Sequence, residues 1–125
     1  MGLTDYFQDV TLLYADIVNF TKYSASVRPT EVVHMLSKLF TEFDKICVKF
    51  HVYKLYTIGD CYVVMSFINA NHRNPVAEAD NIVKMALSMI EIIRKVRRTV
   101  DFDELDMRIG IHTVSLITYL FIKFL

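Results

Sequence analysis

Glycine and proline are scarce in this chain, three and two residues among 125, and the only cysteines are Cys47 and Cys61. With 54% of residues hydrophobic, that scarcity of chain breakers excludes a disordered tail or a low-complexity linker. Two cysteines in apolar runs are too few for a disulfide framework and read as buried free thiols in a reducing compartment. Net charge is lacking too. The 14 Lys and Arg balance the 14 Asp and Glu, which argues against binding a nucleic acid polymer by bulk electrostatics. A small anionic ligand needs only a few well-placed groups and stays open. The opening MGLTDYFQDV has no basic segment leading into an apolar one, so no secretory signal is expected in it. Tyr6 stands where a myristoylation signal wants Ser or Thr. The run VSLITYLFIKFL from Val114 carries one charge, Lys123, but falls short of the about 20 residues of a membrane helix unless it borrows the preceding strand.

The length fits one domain. Thr11 to Ile17 (TLLYADI) has the composition of a buried strand. Asn19 is placed to cap a short helical turn from Phe20 to Ser26, interrupted by Pro29. Thr30 is a candidate cap for a helix over Glu31 to Phe50, whose apolar positions 32, 33, 36, 39, 40, 43, 46, 47 and 50 line one face. His51 to Tyr56 and Cys61 to Phe67 read as a hairpin turning at Thr57-Ile58-Gly59-Asp60, with Asp60 near its tip. Asn69 to Pro75 is a loop, and Ala77 to Arg98 a second long helix. Its basic end (Arg94, Lys95, Arg97, Arg98) suits the negative pole of the helix or, alternatively, an anion patch. Met107 to His112 is a fourth strand. The order strand, helix, two strands, helix, strand points to an α+β, ferredoxin-like antiparallel sheet with helices on one face.

Asp16 ends the first strand and Asp60 sits at the hairpin tip, so a ferredoxin-like sheet brings both to one edge. Carboxylates paired on a rigid scaffold suit magnesium, a hard cation that prefers oxygen ligands. Two such ions serve an in-line displacement at phosphorus. Asn19-Phe20-Thr21 follows directly and opens a helical turn, where main-chain N–H groups favour phosphate oxygens. Acids at strand ends also serve as helix caps or surface charges, and spacing alone leaves both readings open.

The blocks VTLLYADIVNFTKYS, YTIGDCYVVMS and MRIGIHT resemble, in order, the class III nucleotide cyclase catalytic domain of adenylyl and guanylyl cyclases. Together they cover nearly everything from Val10 to Thr113. The resemblance implies two metal-binding aspartates at Asp16 and Asp60, and a main-chain carbonyl ligand at Ile17. It also implies a phosphate-binding turn at Asn19, Phe20 and Thr21, and nucleotide contacts at Ile58 and Gly59. Arg108 matches an arginine that reaches the triphosphate in metal-binding halves of paired cyclases; an ordinary exposed strand arginine is the alternative. His112 is assigned packing, and His34, His51 and His72 no role. The implied reaction is attack of the ribose 3′-hydroxyl on the α-phosphate of GTP or ATP, giving cGMP or cAMP and pyrophosphate. It uses two magnesium or manganese ions and serves intracellular signalling.

Two departures stand out. Four residues before Asp60 the family places its base-selecting residue, acidic in guanylyl and lysine in adenylyl cyclases; here it is Tyr56. Both aspartates without a base selector resemble the metal-binding half of a two-domain cyclase, with phrasing similar to protist guanylyl cyclases. After Thr113 the family continues into a glycine-spaced strand and later elements bearing an asparagine and an arginine that stabilise the transition state. This sequence has an apolar dozen instead. Residues 1–113 are therefore expected to form a partial catalytic domain lacking its C-terminal part, and 114–125 a tail departing from the family. Little activity is expected without a complementary cyclase domain, in a homo- or heterodimer. The alternatives are a non-catalytic module that binds nucleotide or dimerises, and a truncated gene product. A cytoplasmic location is expected, with membrane attachment only through a larger parent protein.

Overall fold

The computed structural model describes residues 6–69 and 71–117. The elements are β1 (Tyr6–Val18), α1 (Phe20–Ser26), α2 (Pro29–Phe50), β2 (Val52–Ile58), β3 (Cys61–Ser66), α3 (Pro75–Thr99) and β4 (Asp106–Ile117). The strands form one antiparallel sheet in the order β2-β3-β1-β4, so β1 is central. This is the α+β ferredoxin-like arrangement expected from the element order. Among the described residues no helix is long and apolar enough to cross a membrane.

Alternation along β1 sends Leu13, Ala15 and Ile17 toward the helices, where they are fully or almost fully buried. From α2, Met35, Leu39, Phe43 and Cys47 recur at a spacing of four and meet them; from α3, Ile82, Met85, Met89, Ile93 and Val96, at spacings of three and four, meet them too. Each large apolar side chain buried this way is worth roughly 1.5–3 kcal/mol. Val10, Leu12 and Met65 form a smaller cluster elsewhere, flanked by Tyr53, Leu55, Ile68 and Val114. The buried Tyr62 donates to the Asp44 carboxylate, fixing β3 to α2, and its hydroxyl lies 3.4 Å from Cys47 Sγ.

Several boundaries differ from the sequence expectations. The helix α2 starts at Pro29, with Arg28 rather than Thr30 at the cap position. There the Glu31 carboxylate accepts from the Arg28 main-chain N–H at 3.4 Å and pairs with its guanidinium at 3.0 Å. His51 is not a strand residue; it closes α2 in the left-handed region (φ 56°), and its N–H donates to the Cys47 and Val48 carbonyls. The turn between β2 and β3 is two residues long, because Ile58 pairs with Cys61, and Gly59 carries the positive φ of 56° that it requires. Asn74 caps α3, accepting from Ala77 N–H at 3.2 Å. The first and fourth strands are both longer than expected: Val10 pairs with Val114 and Phe7 with Leu116, across an irregularity between Phe7 and Val10. The apolar run thus begins as strand, and residues 118–125 lie outside the described region. Cys47 is buried as expected, but Cys61 is only half-buried.

Replacing Phe43 by Ala removes a fully buried ring and is expected to lower unfolding free energy by about 3–5 kcal/mol. Val33→Ala, on the exposed side of the same helix, is expected to stay within about 0.5 kcal/mol. Urea unfolding of the two variants measures both.

Candidate active site

Register brings the acids together. In the β1–β4 ladder Asp16 lies directly opposite Arg108, and Arg108 Nη2 donates to Asp16 Oδ2 at 2.8 Å. On the other side of β1, Ala15 pairs with Tyr62, which places the β2–β3 turn and Asp60 beside the end of β1. The two carboxyls are close enough to shift each other's titration: Asp60 hydrogen-bonds to Asp16 when it carries its proton and repels it when ionised, while the main chain of Ile17 favours the ionised form of both. The hydrogen bond from Asp60, reinforced by the Arg108 guanidinium, holds Asp16 below the ordinary carboxylate range. Asp60 is pushed up by partial desolvation and by its neighbour Asp16. Burial also raises the Cys61 thiol, with the two aspartates adding to the effect. The Asp16–Arg108 pair is solvent-exposed, 38% and 72%, so its net worth is about 1 kcal/mol or less.

An open cavity of about 650 Å³ is lined by Asp16, Ile17, Asn19, Phe20, Thr21, Asp60 and Arg108, together with Lys22 and Ala25. The fold thus gathers most of the residues singled out in the sequence. Ile58, Gly59 and Tyr56 do not line it. Ile58 is exposed, and Tyr56 is half-buried on β2, with its hydroxyl raised by burial and by the nearby Tyr14. Asn19 does not cap α1 through its side chain. It adopts the left-handed conformation (φ 62°), and its Nδ2 donates to the Glu104 carbonyl at 2.9 Å. His112, expected to pack, is exposed. Sequence reasoning missed Lys22 and Glu104, which pair at 2.5 Å beside the cavity. Nothing local signals that contact, since the two lie 82 positions apart.

The donor chemistry here fits a hard divalent cation: two carboxylates at a strand end, in a cavity open to water that completes a coordination shell. No group of three or more His, Cys, Asp or Glu suited to a metal occurs among the described residues. Asp16, Asp60 and the main chain of Ile17 are the groups that would hold such an ion. A second cavity of about 580 Å³ lies at the basic end of α3, where Arg94, Lys95, Arg97 and Arg98 mix with Glu91 and Asp103.

Central β1, carboxylates at its end and at the hairpin tip, and a following turn define a nucleotide cyclase type of domain. Residues 4–121 match the adenylate and guanylate cyclase catalytic domain, and the chain belongs to that family. It is 43% identical over 111 residues to guanylate cyclase soluble subunit alpha-2 of Rattus norvegicus, covering 89% of this chain and 15% of that protein. It is 41% identical over 106 residues to guanylate cyclase alpha of Plasmodium falciparum, covering 82% of this chain and 2% of that one. Among solved structures it overlays the guanylate cyclase domain of RhGC from Catenaria anguillulae in complex with GTP. The TM-score is 0.74 at 31% identity, over 89% of this chain and 59% of that one. A rhodopsin-guanylyl cyclase catalytic core with converted specificity, in complex with ATPalphaS, gives 0.77 at 30% identity, over 94% and 61%. The chain thus spans a small part of the curated relatives and about three-fifths of these solved domains.

The opposed shifts of the two aspartates set a pH dependence. Asp60 holds its proton more tightly folded than unfolded, so its contribution is full below the ordinary value of 3.8 and is lost as pH rises through the folded value. Asp16 is depressed; its contribution is present above 3.8 and lost as pH falls through its folded value. Without added metal, Asp60→Asn is therefore expected to raise Tm at pH 7, by removing the like charge. That gain should shrink as the pH approaches 4 and wild-type Asp60 takes up its proton. Thermal unfolding across pH measures this.

Proposed function

We propose that this chain is the metal-binding half of a purine nucleotide cyclase, working with a complementary cyclase domain that reads the base. The observation that carries the proposal is the convergence of Asp16, Asp60 and Arg108 on one cavity beside the first turn of α1. Two magnesium or manganese ions, when bound by Asp16, Asp60 and the Ile17 carbonyl, would acidify the ribose 3′-hydroxyl and offset charge on the triphosphate. The turn at Asn19, Phe20 and Thr21, fixed by the Asn19–Glu104 bond, presents main-chain donors to phosphate oxygens. Ile58 and Gly59, which precede Asp60 outside the cavity, are assigned contacts with the nucleotide where it extends beyond the metal site, and Arg108 pairs with the triphosphate. With the triphosphate held so, the 3′-hydroxyl gives its proton to water in the open cavity and its oxygen bonds to the α-phosphorus. The bond from that phosphorus to the bridging oxygen of the β-phosphate breaks, and pyrophosphate leaves.

GTP is favoured over ATP as substrate by the guanylate cyclases among the relatives. Tyr56 supports division of labour. A phenol stacks or hydrogen-bonds but cannot make the charged choice between guanine and adenine that an acid or a lysine makes, so the partner is assigned that choice. The partner also supplies the asparagine and arginine that stabilise the transition state, which makes the chain on its own inactive or nearly so. The apolar stretch 114–125 is proposed to depart from the catalytic domain of 1–113. The proposed nucleoside triphosphate substrate favours a cytoplasmic location, or the cytoplasmic side of a membrane if a larger parent protein carries the chain.

The test mixes the chain with a complementary cyclase domain, Mg²⁺ or Mn²⁺, and GTP or ATP, and measures cyclic nucleotide. Product is expected from the mixture and not from the chain alone. Asp16→Asn or Asp60→Asn is expected to reduce it about 100-fold or more, the scale of losing one preorganised charge-stabilising group. Absence of product from every mixture overturns the proposal, and nucleotide binding without turnover would replace it with a non-catalytic regulatory module.

A further inference from the structure

Arg108 sits against a carboxylate that the proposed reaction needs for metal. The pair is held in place by the ladder itself, because Asp16 and Arg108 are direct cross-strand partners. Arg108 Nη2 lies 2.8 Å from Asp16 Oδ2, yet the arginine side chain is 72% exposed, so little packing fixes it there. The other cation at the cavity, Lys22, is tied to Glu104. Arg108 is therefore the cation that neutralises Asp16. A divalent ion on the same carboxylate would meet the guanidinium at contact distance, and the two like charges repel strongly that close.

Resting on the metal reading above, we infer that Arg108 is an exchangeable counter-ion for Asp16, displaced when metal binds and then turned toward the phosphates. In this arrangement the guanidinium competes with metal in the absence of nucleotide. Once expelled, it remains tethered to β4 at the rim of the same cavity, where the triphosphate offers the charge it has lost. Metal and nucleotide then favour each other through one side chain, and the coupling is reciprocal. Arg108 acts on the metal through Asp16, as a positioning residue, before it touches substrate. An open, empty site is thereby kept from holding stray divalent ions tightly, and assembly of the loaded site becomes concerted.

The experiment is Mn²⁺ binding to the full chain, followed by the loss of the free-ion paramagnetic resonance signal, with and without 3′-deoxy-GTP, which lacks the attacking hydroxyl. Arg108→Ala is expected to tighten Mn²⁺ binding without nucleotide about fivefold, the upper range for an exposed ion pair. The same variant should show less tightening of Mn²⁺ by 3′-deoxy-GTP than the wild-type chain does. Arg108→Lys, which keeps the charge, should restore most of that coupling. In a second readout, adding Mg²⁺ to ¹⁵N-labelled protein should shift the Arg108 guanidinium resonance toward that of a free arginine. An Arg108→Ala variant with unaltered or weaker Mn²⁺ binding and unaltered coupling overturns the exchange, provided that Asp16→Asn has lost Mn²⁺. If the wild-type chain binds Mn²⁺ no better than Asp16→Asn, the metal reading fails and the exchange falls with it.

Discussion

Two carboxylates that repel one another stand side by side because main-chain pairing on both flanks of β1 leaves them nowhere else to go. The β1–β3 ladder fixes the hairpin tip that carries Asp60, and the β1–β4 ladder sets Arg108 opposite Asp16. A slip of one residue in either would send Asp16 to the helix-covered face and destroy the site. The cost of the juxtaposition is visible in the opposed shifts of the two acids, one depressed and one raised. Arg108 and the Ile17 amide offset part of it. A divalent cation would offset the remainder, which is the physical reason to expect one there.

The register is secured at a distance from the chemistry. Leu13, Ala15 and Ile17 are locked under α2 and α3, and Tyr62 ties β3 to α2 through Asp44. The apolar alternation that anchors β1 thus also determines which of its residues face the cavity. Burial fixes the backbone, while the cavity stays open and its charged groups are partly exposed. A rigid scaffold with a solvated, adjustable charge cluster suits the proposed reaction, in which a highly charged substrate enters and a charged product leaves.

Much of this was legible in the sequence, for identifiable reasons. The long helices follow from apolar spacing, and the strand order follows from the alternation of element types, because both are local patterns. Asp16 and Asp60 stood out by their place at strand ends and by the cyclase-like words around them. What local pattern cannot carry was missed. Asn19 looks like a cap, but its side chain is taken by Glu104, 85 positions away. The Lys22–Glu104 and Asp16–Arg108 pairs depend on register and loop placement, at separations of 82 and 92 positions. Thr30 lost the cap position to Arg28 because Pro29 already fits the first turn and Glu31 reaches back to it. The strands ran longer than expected because β1 and β4 extend each other.

The family assignment and the geometry meet at a single claim, that Asp16 and Asp60 form one divalent-cation site serving a nucleoside triphosphate. Anomalous scattering from crystals grown with Mn²⁺ and 3′-deoxy-GTP tests it most directly. A manganese peak within ligand distance of both Asp16 and Asp60, with Arg108 turned from Asp16 onto the phosphates, is the predicted result. Manganese bound elsewhere, with the Asp16–Arg108 pair intact beside a bound nucleotide, would contradict it.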